Sequence, residues 1–323
     1  MKKDLMWTFL IHLSCHMWED GNTPPTGLYQ KISYEENNNT DLKVWDDVVK
    51  GVAALGVNTL LIDVGDAVQY ETHPEISAPD AWSKDFLKQK LDEIRALGMT
   101  PIPKLNFSTC HDAWLKEYGR MVSTPTYYRV CADLIKEVCE VFDYPAYFHL
   151  GYDEEYEAFQ NNRDIAVVRH EYLWGYDLNF LCNECEKHGA RLWMWGAFAR
   201  LFPETFEKKI SRSVLMSSAF YSKMLIPTWK EGEEPYKKEG LNPRDYDTLD
   251  KWGFDQIPCG STWSYAQNLN QTLAYCKDRL NPDRVLGYMD AQWYHTKPGN
   301  TFALLSGAER LYYARKEWYP ETL

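Results

Sequence analysis

The chain lacks the features that would suit it to a polyanion or a bilayer. Lys and Arg number 35 against 47 Asp and Glu, a formal net charge of −12, and no basic run offsets it. That balance argues against a nucleic-acid backbone or an anionic membrane surface as partner. No apolar stretch approaches the roughly 20 residues of a membrane span. Eight cysteines are spread over 323 residues, too thinly for a disulfide-stapled scaffold, so reduced thiols are expected. The one C-x-x-C, Cys182 with Cys185, lies in a helical pattern without a second pair and reads as packing rather than a zinc or redox site. No low-complexity linker or composition break divides the chain. No Gly-x-Gly-x-x-Gly follows the first apolar run, which removes the phosphate loop of a dinucleotide fold.

What is present is a repeated alternation. Eight apolar runs have strand character: Leu5–Ser14, Thr59–Val64, Thr100–Asn106, Ala146–Gly151, Arg191–Trp195, Ser213–Phe220, Gln256–Thr262 and Arg284–Ala291. The first follows Lys2 and Lys3 like the core of a secretory leader, but Asp4 and His12 interrupt it and no small-residue cleavage site follows, so a strand is expected. With Met1 native the chain is expected in the cytoplasm; a leader removed upstream would place it in the periplasm or outside the cell. Between the runs, Leu42, Trp45, Val48, Val49, Val52 and Leu55 mark one helix face closed by Gly56. Phe86, Leu87, Leu91, Ile94 and Leu97 precede Gly98, and Val130, Leu134, Ile135, Val138 and Val141 precede Asp143. A long helix is expected from about Asp164 to Lys187. Tyr221–Asp255, rich in charge, Pro and Gly, reads as a long loop insertion after the sixth strand, with a short helix near Asp245–Lys251. Eight strand-helix units in one unbroken chain predict a single-domain (β/α)8 TIM barrel over residues 1–323.

In such a barrel the chemistry sits at the C-terminal ends of the strands. Those ends carry His12 and His16 with Trp18 and Glu19; Asp63 and Asp66; Lys104, Asn106 and His111; and His149 with Asp153, Glu154 and Glu155. The later strands add Trp193 and Trp195, Tyr221, Trp263 and Tyr265, then Asp290, Gln292, Trp293 and His295. Any one of these has an ordinary structural reading, and their convergence on one face marks a site. The 13 Trp, 22 Tyr and 13 Phe make an aromatic floor for a sugar plausible, beside their use as core.

The sharpest local signal is Phe148-His149-Leu150-Gly151-Tyr152-Asp153-Glu154-Glu155. Side chains alternate along a strand, so Asp153 and Glu154 both face inward only if the chain turns, and Gly151 is the residue that permits the turn. The stretch resembles the fourth-strand motif His-x-Gly-x-Asp-Glu of the family 20 glycoside hydrolases, the β-N-acetylhexosaminidases, matched by His149, Gly151, Asp153 and Glu154. Gly56 through Asp63 looks like that family's second strand, and Ile102-Pro103 with His111 looks like its third. Trp293 sits where a family tryptophan lines the last strand.

The resemblance implies retaining, substrate-assisted cleavage of a β-linked, N-acetylated sugar, with Glu154 as general acid and Asp153 orienting the acetamido group. It implies neither cofactor nor metal. Cleavage of a glycoside requires a carboxylic acid beside the leaving oxygen, and like-charge repulsion between neighbouring carboxylates raises a pKa, which suits an acid. Tyr221 or Tyr265 would hold the acetamido oxygen. The other residues expected to bind the sugar are His16, Asp63, Asn106, His111, His149, Trp195, Trp263, Asp290 and Trp293. Strands six and seven end without a carboxylate, which favours a nucleophile supplied by the substrate; Asp290 and Asp63 are the alternatives within the chain. Three departures predict altered specificity: no Arg in Ser14–Trp18, Lys104 or a neighbour where the family carries Glu, and Trp293-Tyr294-His295 in place of Trp-x-Glu. Two rival readings are a metal-dependent barrel hydrolase, drawing on His12, His16, His111, Asp63 and His295, and a glycan-binding relative that keeps Trp193, Trp195, Trp263 and Trp293 without cleaving.

Overall fold

The computed structural model describes residues 4–14, 34–155, 157–160, 165–200, 203–223 and 242–323. His16, with Trp18 and Glu19, and most of the insertion after the sixth strand lie outside the described residues. Eight strands are present: β1 (Met6–His12), β2 (Thr59–Asp63), β3 (Thr100–Lys104), β4 (Tyr147–His149), β5 (Arg191–Trp195), β6 (Leu215–Ser217), β7 (Cys259–Gly260) and β8 (Gly287–Ala291). All pair in parallel in the order β6-β5-β4-β3-β2-β1-β8-β7. Bridges Met216↔Gln256 and Ala219↔Cys259 join the two ends, so the sheet closes into the expected (β/α)8 barrel. At that seam the sixth and seventh strands are shorter than their apolar runs. There the Ile257 N–H donates to the Met216 carbonyl and the Cys259 N–H to the Ser218 carbonyl, each at 2.9 Å, and Ser217 Oγ donates to the Ile257 carbonyl at 2.7 Å.

The strands read as unbroken apolar runs because both faces are buried. Leu10, Leu61, Ile102, Trp193, Leu215, Ile257 and Met289 pack together inside the barrel. Alternate residues, among them Phe9, Ile11, Leu60, Ile62, Phe148, Leu192 and Met194, pack with the surrounding helices. The helices are α1 (Leu42–Ala54), α2 (Lys84–Ala96), α3 (Pro125–Val141), α4 (Glu157–Gln160), α5 (Glu171–Lys187), α6 (Pro203–Lys209), α7 (Arg244–Lys251), α8 (Asn268–Arg279) and α9 (Thr301–Trp318). Asp41, Ser83 and Thr124 cap α1, α2 and α3 through side-chain bonds to the backbone N–H three residues on. Gly56 (φ +80°) and Gly98 (φ +82°) end α1 and α2 in the left-handed conformation that glycine adopts without penalty.

The shortened bounds of β6 and β7 are one correction to the expected elements, and the start of the long helix is a second. The long helix begins at Glu171, not near Asp164, because the preceding chain is extended and Arg169 is held inward by Glu155 and Asp177. The insertion does contain its short helix, α7, close to the expected bounds. Among the described residues no helix is long and apolar enough to cross a membrane. The seven described cysteines are buried and form no disulfide with one another, and burial pushes the Cys182 thiol up to about 11.

Asp290 is the third correction. It lies on the outer face of β8, beneath α9, where a Cβ on Gly307 would come within 2.4 Å of Asp290 Oδ2 and 2.2 Å of Gln292 Nε2. Gln292 Nε2 donates to Asp290 Oδ1 at 2.6 Å, and Oδ2 has no partner among the described residues. The carboxyl therefore faces α9 and not the interior of the barrel. Burial pushes its pKa up to about 8 from the usual 3.8. The folded state thus binds this proton more tightly than the unfolded chain, so stability falls as pH rises between those values and levels off above them. Asp290→Asn should raise the melting temperature by an amount that grows from pH ~5 to pH ~8 and is then constant; a pH-independent difference in thermal melts would contradict this protonation.

Candidate active site

The site is built on a turn at the end of β4. Gly151, Tyr152 and Glu154 all have left-handed backbones, with φ of +64°, +66° and +53°. The chain turns as the glycine allows, and two consecutive carboxylates reach one imidazole: His111 Nε2 lies 3.2 Å from Glu154 Oε2 and 3.7 Å from Asp153 Oδ2. Non-glycine residues in this region cost on the order of 1 kcal/mol or more each, and the surroundings must enforce them. The β3 loop does so. Asn106 Oδ1 accepts from the Tyr152 N–H at 3.3 Å and the Ser108 N–H at 3.0 Å, while its Nδ2 donates to Asp153 Oδ1 at 3.3 Å. Ser108 Oγ donates to the Asp153 carbonyl, and Cys110 Sγ to the Glu154 carbonyl at 2.5 Å. The approach is so close that a Cβ on Gly151 would fall 2.1 Å from Asn106 Oδ1.

Burial raises the Asp153 carboxyl to about 6, and the charge of Glu154 acts in the same direction; His111, Lys104 and Asn106 pull it back. Beneath the pair lies a closed charge group. Asp63 Oδ2 accepts from Lys104 Nζ at 2.5 Å and meets His12 Nδ1 at 3.1 Å, with Asp63 and Lys104 fully buried. Asp63 is therefore bound to a lysine below the mouth and not displayed as a sugar ligand, a correction that follows from the cost of an unpaired interior ammonium. His149 is also wholly buried: its Nδ1 accepts from the Gly151 N–H at 2.9 Å, and its ring lies 4.9 Å from Trp195 and 5.2 Å from Trp193. Burial and the Lys104 charge hold its pKa well below the usual 6.5, so the imidazole is neutral and serves the turn. Asn106, 1% exposed, likewise supports the turn from behind.

Some of the aromatic side chains named from the sequence come together. Trp195 and Trp293 lie 5.9 Å apart, Trp293 is 5.4 Å from His12, and Tyr221 is 6.4 Å from Trp293. Burial pushes the Tyr221 hydroxyl pKa up, with the charge of Glu154 a minor contribution in the same direction. Trp263 packs on Tyr294 at 4.9 Å, and Tyr265 offers a backbone carbonyl to Asn268 N–H at 3.0 Å. Trp193 is core: its Nε1 donates to Ser217 Oγ at 2.8 Å inside the barrel. Asp66 is taken up by Ser14 and Lys116 at 2.5 and 2.9 Å. His295 faces Glu35 at 3.7 Å, and burial lowers its pKa to about 4. The set proposed for a metal thus divides: His12 and Asp63 belong to the Lys104 group and His295 to Glu35. Among the described residues one cluster has ligand geometry, His111, Asp153 and Glu154, with ligand atoms within 4.8 Å of one another.

Two groups escaped the sequence reading. Lys104 was noted as a strand-end residue and as a departure, but not as the partner of Asp63, although the two end neighbouring strands in the same register, a signal that pairing would have exposed. Arg169, which binds Glu155, has no local signature.

No protein-family profile matches the chain, and no curated protein matches it. Solved structures do. The Flavobacterium johnsoniae chitobiase (FjGH20) matches with a TM-score of 0.60 and 16% identity, over 84% of this chain and 46% of that one. A GH20 exo-β-N-acetylglucosaminidase from Vibrio harveyi matches with a TM-score of 0.61 and 12% identity, over 99% and 58%. The pneumococcal virulence factor StrH, titled for N-glycan recognition and hydrolysis, matches with a TM-score of 0.63 and 10% identity, over 98% and 86%. The chain spans about half the length of the first two. At these identities the likeness establishes the barrel fold.

The buried lysine provides a direct check. Lys104→Met should destabilise the protein by about 3–5 kcal/mol by leaving Asp63 buried without its ammonium, and Lys104→Met with Asp63→Asn should regain most of that loss. Urea unfolding of both variants measures it, and a double variant no better than the single one would refute the pairing.

Proposed function

We propose that the protein is a retaining glycoside hydrolase acting on a β-linked, N-acetylated sugar. The observation that carries the reading is the convergence of Asp153 and Glu154 on His111 at the barrel mouth, beside Tyr221, Trp195 and Trp293. The motif His149-x-Gly151-x-Asp153-Glu154 supports it, as does the likeness to solved β-N-acetylhexosaminidases.

In this reading Glu154 gives its proton to the departing oxygen while the acetamido oxygen of the substrate closes on the anomeric carbon. Asp153, as a carboxylate, orients the acetamido group and balances the positive charge that develops on it. Water then attacks the anomeric carbon, breaking its bond to the acetamido oxygen and restoring the acetamide, while Glu154 takes a proton from the water as general base. His111 fixes the Glu154 rotamer. Tyr221 is the phenol placed to hold the acetamido oxygen, since it stands beside Trp293 and within reach of the Glu154 charge. Trp195, Trp263 and Trp293 form the stacking surface.

One observation favours a second reading. His111, Asp153 and Glu154 have the donor set and spacing of a three-ligand metal site. Activity that survives exhaustive chelation ends that reading.

A panel of nitrophenyl glycosides with and without the acetamido group, joined by an unactivated disaccharide, tests the proposal. Glu154→Gln should lower kcat on the disaccharide by about 10²–10⁴-fold while sugar affinity is kept. An unimpaired variant refutes the assignment of the acid, and cleavage of sugars lacking the acetamido group refutes the substrate-assisted mechanism. Because Asp153 works ionised, kcat/KM should fall as pH drops through about 6, and Asp153→Asn should remove that limb.

A further inference from the structure

The turn bearing Asp153 and Glu154 is flanked by Tyr152 and Glu155, and one side chain holds both. Arg169, with a side chain 1% exposed, donates from Nε to Glu155 Oε2 at 2.9 Å and from Nη2 to the other Glu155 oxygen. Nη2 also donates to the Phe107 carbonyl at 2.9 Å, and Nη1 to Asp177 Oδ2 at 3.1 Å. The guanidinium lies over the Tyr152 ring, 4.4 Å from its centroid, and the Tyr152 hydroxyl donates to the Trp174 carbonyl at 2.9 Å. Asp177 is held in turn by Ser123 Oγ at 2.6 Å and Tyr128 OH at 2.5 Å, and Glu155 accepts the Thr109 N–H at 3.0 Å.

This single cation ties the β3 loop, the β4 turn, α3 and α5 together. Interior ion networks of this kind stabilise little relative to apolar packing of the same volume, because desolvation offsets the attraction. Their return is directional. The planar fork accepts one arrangement of Glu155, the Phe107 carbonyl and Asp177, and the stacked ring of Tyr152 follows it. With the residues on both sides of Asp153-Glu154 fixed, the strained backbone between them has one conformation.

We infer that Arg169 is a positioning residue for the proposed reaction: by pinning Tyr152 and Glu155 it sets where Glu154 meets the leaving oxygen. The inference rests on the reading of Glu154 as the acid. Displacement of a general acid has a signature that loss of folded protein lacks, because a dinitrophenolate leaves without protonation whereas an alkoxide does not.

The test compares kcat/KM of Arg169→Lys, Arg169→Met, Glu155→Gln and Glu154→Gln on two N-acetylhexosaminides of the same sugar, one with a dinitrophenyl and one with a methyl aglycone. Thermal melts establish which variants are folded. Folded Arg169 variants should lose at least about 10-fold more on the methyl glycoside than on the dinitrophenyl one, with Lys milder than Met and Glu154→Gln the limiting case. If Arg169→Met does not fold, Arg169→Lys and Glu155→Gln carry the comparison. A loss equal on both aglycones, or none, while Glu154→Gln discriminates between them, overturns the role of Arg169. Absence of discrimination in Glu154→Gln itself overturns the acid assignment, and the inference falls with it.

Discussion

Asn106 and Gly151 approach so closely that no side chain fits between them, and the architecture of the site depends on that contact. It brings the β3 loop against the β4 turn, where Asn106 accepts the Tyr152 N–H and donates to Asp153. Without it, nothing would compel Tyr152 and Glu154 into left-handed backbones, and consecutive carboxylates would point to opposite sides of an extended chain. Ser108 and Cys110 complete the clasp by donating to the Asp153 and Glu154 carbonyls. The turn is thus held by hydrogen bonds from the β3 loop and, at its flanks, by Arg169, which explains how a barrel tolerates strain at a strand end.

Two buried cations organise the charge around that turn, in different ways. Lys104 lies below it, paired with Asp63 in register on the neighbouring strand, and its charge adds to the burial that keeps His149 uncharged. Arg169 lies behind it, between Glu155 and Asp177. The strand-end acids therefore divide by partner: Asp63 and Glu155 are each committed to an interior cation, Asp66 to Lys116, and Asp290 is buried under α9. Asp153 and Glu154 share a histidine and retain exposed side-chain surface.

The same division sorts the departures from the family 20 pattern. Lys104 is absorbed by Asp63, so in the proposed reading the change at that position falls beneath the sugar and not on its wall. Trp293 stands against Trp195, His12 and Tyr221 as an aromatic surface. His295, neutral and facing Glu35, offers no carboxylate to grip hydroxyls.

Apolar periodicity was enough to read the eight strands, the capped helices α1 to α3 and the barrel they form, because both faces of each strand are buried and helix ends carry their own caps. The turn chemistry at Gly151 and the residues Asp153 and Glu154 were legible for the same reason, since a glycine after a strand states a backbone requirement locally. Whether a strand-end carboxylate faces sugar, lysine or helix was not legible. Asp63, Glu155 and Asp290 carry the same group as Asp153, and their partners Lys104, Arg169 and the space at Gly307 come from other elements of the barrel. The sequence by itself determined which elements form and where acids can stand. Only the tertiary structure decided which acids remain unclaimed, because pairing of buried charge depends on distances across strands and loops that no single segment contains.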